Sequence, residues 1–295
     1  MSDRVIDQLQ VVILGATLGG VYALMASGLT LVFGVMRIVN LAHAAFMVLA
    51  AYLSFWAFTL YHVDPMVSIV VVMPVMFGLG AAVYRLLFAR IADRRRHSEM
   101  TVLLTFALAL VVEGLTGFLF TGVYRTTTPD YASDALDLGP FYIPRAQLYA
   151  TALSFVLLGA LLALLRLTRT GRAIRATMQN RAAAQLVGVH VGRISTLTFG
   201  IGSALAGASG ALLSFLFPFF PSKHWQWIAT LLALIVLGGM GSLLGTLVGA
   251  MLLSIASAVV SDRYGPTWSP ATFFLALFVI LLVRPQGLFG KKVEL

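Results

Sequence analysis

Four polar residues lie within or beside apolar stretches of this sequence, where they could bind a solute or a proton. They are Glu113, inside the apolar run 101–121, and the cluster Arg37, Asn40 and His43. An ionised carboxylate at the centre of a membrane helix costs about 2.5 kcal/mol or more, so such a group is expected to face the bundle interior or a water-filled path. All four are candidates for a translocation path. A structural ion pair for Glu113, and an ordinary inner loop for Arg37, remain the alternatives.

No arrangement of catalytic residues accompanies these four. The sequence has no Gly-x-x-x-x-Gly-Lys-Ser/Thr phosphate loop, no His-Glu-x-x-His and no Gly-x-Ser-x-Gly, and its five histidines are scattered singly. It contains no cysteine, which excludes disulfides, thiolate metal sites and cysteine nucleophiles. We therefore expect no catalytic residues, no metal site and no ATPase site in this chain.

An arginine-rich segment, residues 166–193, is the second candidate for function. A loop that only joined two membrane helices could be far shorter. This one is long enough to hold its own amphipathic helix, with an alanine-rich stretch from Ala182 to Val187 followed by Gly188. We expect the segment to contact another molecule at the cytoplasmic face. Its arginines are Arg166, Arg169, Arg172, Arg175, Arg181 and Arg193.

The elements that must position these residues are membrane helices. Of the 295 residues, 60% are hydrophobic and 11% are charged, against roughly a quarter charged in soluble domains. Continuous apolar runs of about 20 residues recur, as membrane-spanning helices require, and they lack the alternation of a barrel. The fold class is therefore an all-α polytopic membrane protein. Candidate spans are Val11–Val35, Leu41–Leu60, Met66–Phe88, Thr101–Thr121, Tyr149–Leu167, Ile194–Phe217, Ile228–Leu237, Leu244–Val260 and Thr272–Val283.

The number of spans stays open at eight or nine transmembrane helices. The run Ile228–Leu237 is short for a crossing, and with the next span it could form a hairpin around 238–241. We treat residues 1–295 as a single transmembrane domain. Small residues at four-residue spacing predict close helix packing inside the bundle, or alternatively a dimer interface. These rows are Gly15 and Gly19; Gly202, Ala206 and Gly210; and Gly241, Gly245 and Gly249.

The net charge of +9 reports orientation rather than binding to nucleic acid. Basic residues gather in three segments, which the positive-inside rule places in the cytoplasm together with the C-terminus. Nine spans would then put the N-terminus outside. Besides the segment 166–193, these residues are Arg85, Arg90, Arg94, Arg95 and Arg96, and then Arg284, Lys291 and Lys292.

Two outer segments are also informative. The loop 122–145 contains three prolines and is either a solvated connector or part of a docking surface for an external partner. The segment 218–221, followed by Trp225 and Trp227, resembles the aromatic belt of a membrane interface.

Four motifs along the chain resemble those of a known transporter family. They are GLTLVFGVMRIVNLAH from Gly28 to His43, GRAIRA from Gly171 followed by LVGV from Leu186, VLGGMGSLLG from Val236, and RPQGLFG from Arg284. In this order they are similar to the permeases of the branched-chain amino acid (hydrophobic amino acid uptake) ABC transporter family, of the LivH type. The resemblance covers essentially the whole chain.

The resemblance implies an importer assembled from several chains in a bacterial inner membrane. A second, LivM-like permease would complete the pore, two cytoplasmic ATPase subunits would bind ATP and Mg, and a periplasmic binding protein would deliver the substrate. This chain itself would hold no cofactor. The residues expected to couple to the ATPase are Arg175, Arg181, Ala182, Ala183, Ala184 and Gly188.

Two departures from the family pattern bear on mechanism and substrate. Many ABC importers have glutamate where this chain has Ala182, so apolar packing rather than an ion pair is expected there. Family members often have Gly-Glu after the Ala-His pair, whereas Ala44 and Ala45 follow His43 here. Urea, short amides or aromatic acids are therefore alternatives to branched-chain amino acids. A channel or proton-coupled transporter that works without ATP, with Glu113 as the titrating group, is the alternative mechanism.

Overall fold

The computed structural model describes residues 3–90, 97–284 and 286–290. These residues form helices and one small β-hairpin, so the predicted all-α class is confirmed. The basic residues Arg94, Arg95, Arg96, Lys291 and Lys292 lie outside the described residues. The helices are α1 (Asp3–Met36), α2 (Ala42–Tyr61), α3 (Pro65–Val83), α4 (His97–Phe120), α5 (Arg145–Leu167), α6 (Arg169–Gln179), α7 (Arg181–Leu186), α8 (Val191–Leu216), α9 (His224–Gly238), α10 (Leu243–Tyr264) and α11 (Ser269–Val283).

Eight of the described helices are long and apolar enough to cross a membrane, which makes the chain a multi-pass membrane protein. They are α1 to α5, α8, α10, and α11 together with the 3-10 turn before it. Helix α9 has 15 residues and is shorter than the roughly 20 that a full crossing needs.

Contacts divide the chain into two compact units. Unit 1 comprises Met1–Ser27, Thr128–Val156 and Ala229–Leu295, and unit 2 comprises Gly28–Thr127 and Leu157–Ile228. Several helices begin in one unit and end in the other, so the boundary follows packing rather than chain order.

Helix α8 is the centre of unit 2, and 89% of the residues in its 18-residue apolar stretch are buried. Its small residues explain this burial, because they let the neighbouring helices approach its backbone closely. A Cβ on Gly202 would lie 3.0 Å from the carbonyl oxygen of Gly28 in α1, and one on Gly207 would lie 2.9 Å from Met76 in α3. A Cβ on Gly210 would overlap the Met47 carbonyl of α2. The predicted packing within one bundle is confirmed for this row.

In unit 1, the row on α1 packs against α10 in the same way. A Cβ on Gly15 would lie 2.7 Å from the Cα of Ile255, and one on Gly19 would lie 2.9 Å from that of Met251. Without a hydrophobic drive for association in lipid, such backbone contacts supply dispersion energy. Replacing either glycine would separate the two helices.

The hairpin predicted around 238–241 is confirmed as the turn between α9 and α10. Gly239 and Gly241 adopt φ of +98° and +87°, which disfavour any other residue. The C-terminal stretch packs on this turn: the Leu288 amide donates to the Leu237 carbonyl over 2.8 Å, and the Phe289 amide donates to Gly238 over 3.2 Å. Two motifs far apart in the sequence therefore form one structure.

The loop 122–145 contains a hairpin that the sequence did not predict. Strands β1 (Ala135–Leu138) and β2 (Phe141–Pro144) pair in antiparallel fashion around Gly139, whose φ is +66°. Arg145 forms an ion pair with Asp134 across the base of this hairpin, at 2.9 Å. The loop is therefore an ordered element.

Candidate coupling loop and polar sites

Helix α6 begins the arginine-rich segment as an amphipathic helix at the end of α5. The hydroxyl of Thr168 accepts a hydrogen bond from the Gly171 amide over 2.9 Å and so caps the helix. Gly171, Ile174 and Thr177 are buried at three-residue spacing, with Gly171 against the α5 backbone. The arginines of α6 that lie on its exposed side are Arg169, Arg172 and Arg175. Their exposure fits a contact surface for a partner.

The predicted alanine-rich helix is present as α7. The Asn180 side chain accepts a hydrogen bond from the Ala183 amide over 3.0 Å, which caps this short helix and separates it from α6. Gly188 ends the turn that follows, with φ of +86°. Its amide donates to the Gln185 carbonyl over 3.0 Å. Two turn-forming residues therefore fix the shape of this segment.

Helix α7 packs against the rest of the protein through one buried residue, and its other side chains are partly or fully exposed to solvent. Ala184 is buried, whereas Ala182 and Ala183 are exposed and Arg181 is half-buried. The following side chains, Leu186 and Val187, are 89% and 79% exposed. These two lie within the predicted segment but were not among its named contact residues. Both residues lie outside the candidate membrane spans, so the lipid acyl chains do not explain their exposure.

Arg37 joins the α1–α2 turn to this loop. Its Nη2 donates a hydrogen bond to the Met178 carbonyl of α6 over 3.1 Å. The Met178 side chain lies against Gly34 of α1, where a Cβ would overlap the methionine methyl group. Arg37 itself is exposed and has a left-handed φ of +57°. The structure therefore places this candidate path residue in a connecting loop beside α6.

Asn40 and His43 are buried at the beginning of α2. The side-chain oxygen of Asn40 accepts a hydrogen bond from the Ala42 amide over 3.1 Å. The backbone carbonyl of Asn40 accepts another from the His43 amide over 3.2 Å. The imidazole of His43 packs so close to Gly28 that a Cβ there would lie 2.8 Å from its Cε1. In this conformation both residues lie in packed protein. Their role in a path remains a prediction.

Glu113 is held by two residues at the start of α9. Its Oε2 accepts a hydrogen bond from Trp225 Nε1 at 2.9 Å, and lies 3.1 Å from His224 Nε2. The His224 side chain is buried, while that of Glu113 is 25% exposed. The ring of Phe106 lies beside that of Trp225, at 5.4 Å between centroids. The structure thus gives Glu113 two hydrogen-bonding partners on α9, as the structural alternative requires.

The sequence does not predict these partners of Glu113. In the sequence the histidines occur singly, and Trp225 and Trp227 resemble an aromatic belt. Trp227 is only 7% exposed and packs against Phe217 at 5.2 Å, so the belt prediction is wrong for this residue. His224 and Trp225 are adjacent in the sequence, but no local pattern links them to Glu113.

The described residues bring the candidates together in two places. Arg37 joins the candidate coupling loop through Met178, with Asn40 in the same turn and His43 at the start of α2. Glu113 pairs with α9 instead. Within the described ranges, no group of three or more His, Asp or Glu side chains could hold a metal ion.

Comparison with known proteins identifies the family. Residues 11–283 match the branched-chain amino acid transport system / permease component family. The chain belongs to this family. It is 30% identical to the high-affinity branched-chain amino acid transport system permease protein LivH of Escherichia coli K12, over 99% of this chain and 98% of that protein.

Two further relatives place the chain within the family. It is 29% identical to the permease protein BraD of Pseudomonas aeruginosa, over 96% of each chain. It is also 32% identical to the permease protein LivM of E. coli, but over only 48% of this chain and 33% of LivM. The similarity therefore covers nearly the whole chain for LivH and BraD, and about half of it for LivM. No solved structure matches this chain significantly.

Proposed function

We propose that this chain is the LivH-type permease of an ABC importer for branched-chain or related hydrophobic amino acids, and that it forms half of the pore. A LivM-like permease forms the other half. Two cytoplasmic ATPase subunits bind ATP and Mg and power the cycle, and a periplasmic protein delivers the solute. The complex resides in the bacterial inner membrane, with the C-terminus of this chain in the cytoplasm. Family membership and end-to-end similarity to LivH support this assignment.

The exposed apolar tip of α7 is the observation that carries the proposal. Leu186 and Val187 project from a capped helix whose Ala184 is buried against the rest of the loop. Two apolar side chains in water are unfavourable until a partner covers them, and an ATPase groove would do so. Arg175 and Arg181 add positive charge at the rim of this contact.

Motion of α7 would reach the pore through α6 and the α1–α2 turn. Asn180 joins α7 to α6, and Met178 joins α6 to Gly34 and Arg37. The turn leads directly into the buried start of α2 at Asn40. A nucleotide shifts a conformational equilibrium only through differential contacts, and this chain of contacts provides a route for them.

Replacing Leu186 with aspartate tests the coupling contact. In the full complex with its ATPase subunits, Leu186→Asp is expected to lower ATPase retention during purification and to reduce uptake by about tenfold or more, since one buried leucine is worth about 1.5–3 kcal/mol. Gln185→Asp is the control, because it adds the same charge at an exposed position of the same helix. Retention and uptake equal to wild type in Leu186→Asp would contradict the proposal.

The Glu113–His224 pair supports a second candidate, a proton-coupled transporter that works without ATP. Liposomes containing this chain alone distinguish the two functions. Solute uptake driven by a proton gradient, and lost in Glu113→Gln, would favour the second candidate. Uptake that requires the ATPase subunits would favour the importer. The same assay, run with leucine, urea, a short amide and an aromatic acid, identifies the solute class.

A further inference from the structure

Arg125, five residues beyond the end of α4, is a half-buried cation without a carboxylate partner in the described part of the chain. Its guanidinium carbon lies 5.2 Å from the ring centre of Phe55 and 5.3 Å from that of Trp56. Its Nη2 donates to the Phe120 carbonyl over 3.1 Å. Cation–π contacts offset only part of the cost of removing a guanidinium from water, so a further interaction is expected here.

Three hydrogen-bond donors on this cation and beside it have no partner among the described residues. They are Arg125 Nε, Trp56 Nε1 and the hydroxyl of Tyr52, and all three are buried. The Tyr52 ring stacks on Phe120 at 4.6 Å, and the backbones of Arg125 and Phe219 pair with each other, so all three donors share one neighbourhood. The guanidinium and the indole can only donate. A positive group surrounded by donors is suited to an anion.

An apolar groove of about 500 Å³ adjoins the same residues. Trp56 and Phe120 form its boundary with the cation, and its wall contains Ser68, whose hydroxyl is already bonded to that of Ser54 at 2.9 Å. Val71 of α3, which lines the groove, is largely exposed, as on a lipid-facing helix. The other walls come from the end of α2 and the start of α3: Leu53, Ala57, Leu60, Val71, Val72 and Val75.

We propose that this groove binds a membrane phospholipid, with the phosphate at Arg125 and one acyl chain between α2 and α3. A small amino acid would leave most of the apolar volume empty, whereas an amphiphile with an anionic head matches both parts. Trp56 lies five residues, about 7.5 Å along the helix axis, before the end of α2 at Tyr61. That depth fits the boundary between headgroups and acyl chains, where tryptophan and tyrosine are enriched. The proposal does not depend on the transport function.

Native mass spectrometry of the full-length chain, with any subunits that copurify, tests the site. The probes are phosphatidylglycerol and a diacylglycerol with the same acyl chains, which lacks the phosphate. We expect the wild type to bind phosphatidylglycerol more tightly than the diacylglycerol. Arg125→Gln should weaken that binding by about tenfold and leave diacylglycerol binding unchanged, since a charge-assisted contact to phosphate is lost. Val71→Trp, which fills the groove, should weaken both.

Arg145→Gln is the matched control, because Arg145 is an exposed arginine already paired with Asp134, and we expect it to bind both lipids as the wild type does. Equal phosphatidylglycerol binding by wild type and Arg125→Gln would overturn the proposal, as would equal binding of the two lipids by the wild type. Displacement of phosphatidylglycerol by millimolar leucine would assign the cation to a substrate carboxylate and overturn it too. If Arg125→Gln aggregates, Arg125→Met, which also removes the charge, takes its place in the same comparisons.

Discussion

Arg37 donates a hydrogen bond from its Nη2 to the backbone carbonyl of Met178, 141 residues away in the chain, over 3.1 Å. This bond ties the turn before α2 to the end of α6, and α6 leads through Asn180 to the exposed tip of α7. Three of the four candidate path residues, Arg37, Asn40 and His43, are therefore connected with the candidate coupling residues within one compact unit.

Removing the Arg37 side chain should weaken the connection between the α1–α2 turn and α6. We expect Arg37→Ala to lower the ratio of solute imported to ATP hydrolysed, and to reduce the free energy of unfolding by about 1 kcal/mol, since the bond is exposed. Arg37→Gly should lose the same coupling but recover part of the stability, because glycine adopts the observed φ of +57° without strain. Uptake per ATP that is unchanged in both variants would contradict this role.

Substitutions at Gly34 and Met178 should compensate for each other, because the two residues are in direct contact. Gly34→Ala places a methyl group where the methionine methyl now lies, so the Met178 side chain must leave its present position and coupling should fall. Shortening the partner in Gly34→Ala/Met178→Ala should restore much of it, because the overlap is removed. A double-mutant cycle on uptake measures the interaction. Additive losses, without any recovery in the double variant, would show that this contact does not transmit motion.

Gly188 should be required for the orientation of the segment after α7. We expect Gly188→Val to retain membrane insertion but to uncouple ATP hydrolysis from uptake, because a β-branched residue is strained at φ of +86°. Gly192→Val is the control: that glycine has open space around it and no positive φ. ATPase rate and solute uptake, measured on the same vesicles, give the coupling ratio. Normal coupling in Gly188→Val would argue against the assignment.

Glu113→Gln should lower stability more than it lowers transport. The amide keeps one acceptor for Trp225 or His224 but loses the charge, which should cost about 1–3 kcal/mol in the free energy of unfolding. ATP-driven uptake should persist, because in the importer mechanism Glu113 carries no proton across the membrane. Glu99→Gln, at an exposed carboxylate near the start of the same helix, is the control. Complete loss of uptake in a stably folded Glu113→Gln protein would instead favour proton coupling.

The sequence predicted the helices well because each apolar run is long and its ends carry clear signals. The predicted span Leu41–Leu60 corresponds to Ala42–Tyr61, and Ile194–Phe217 corresponds to Val191–Leu216. The alanine-rich stretch and Gly188 also predicted the position of α7 correctly. The position and ends of a helix depend mainly on residues that are close together in the sequence, and the sequence shows these directly.

Contacts between distant residues could not be predicted in the same way. Glu113 and its partners His224 and Trp225 are more than 100 residues apart, and no local pattern pairs them. The packing of Leu288 on Leu237 is similarly hidden, although both belong to recognised motifs. The β-hairpin at 135–144 was missed because its strands have only four residues each.

Cross-linking tests the central claim most directly, since the chain has no native cysteine and a single one can be introduced anywhere. Val187→Cys, labelled with a short photo-cross-linker in the assembled complex, should attach to an ATPase subunit, with a yield that changes when ATP is added. Leu138→Cys, an exposed position on β1, should give no such product. If Val187→Cys forms no ATPase adduct in an actively transporting complex, α7 is not the coupling helix and the account is contradicted.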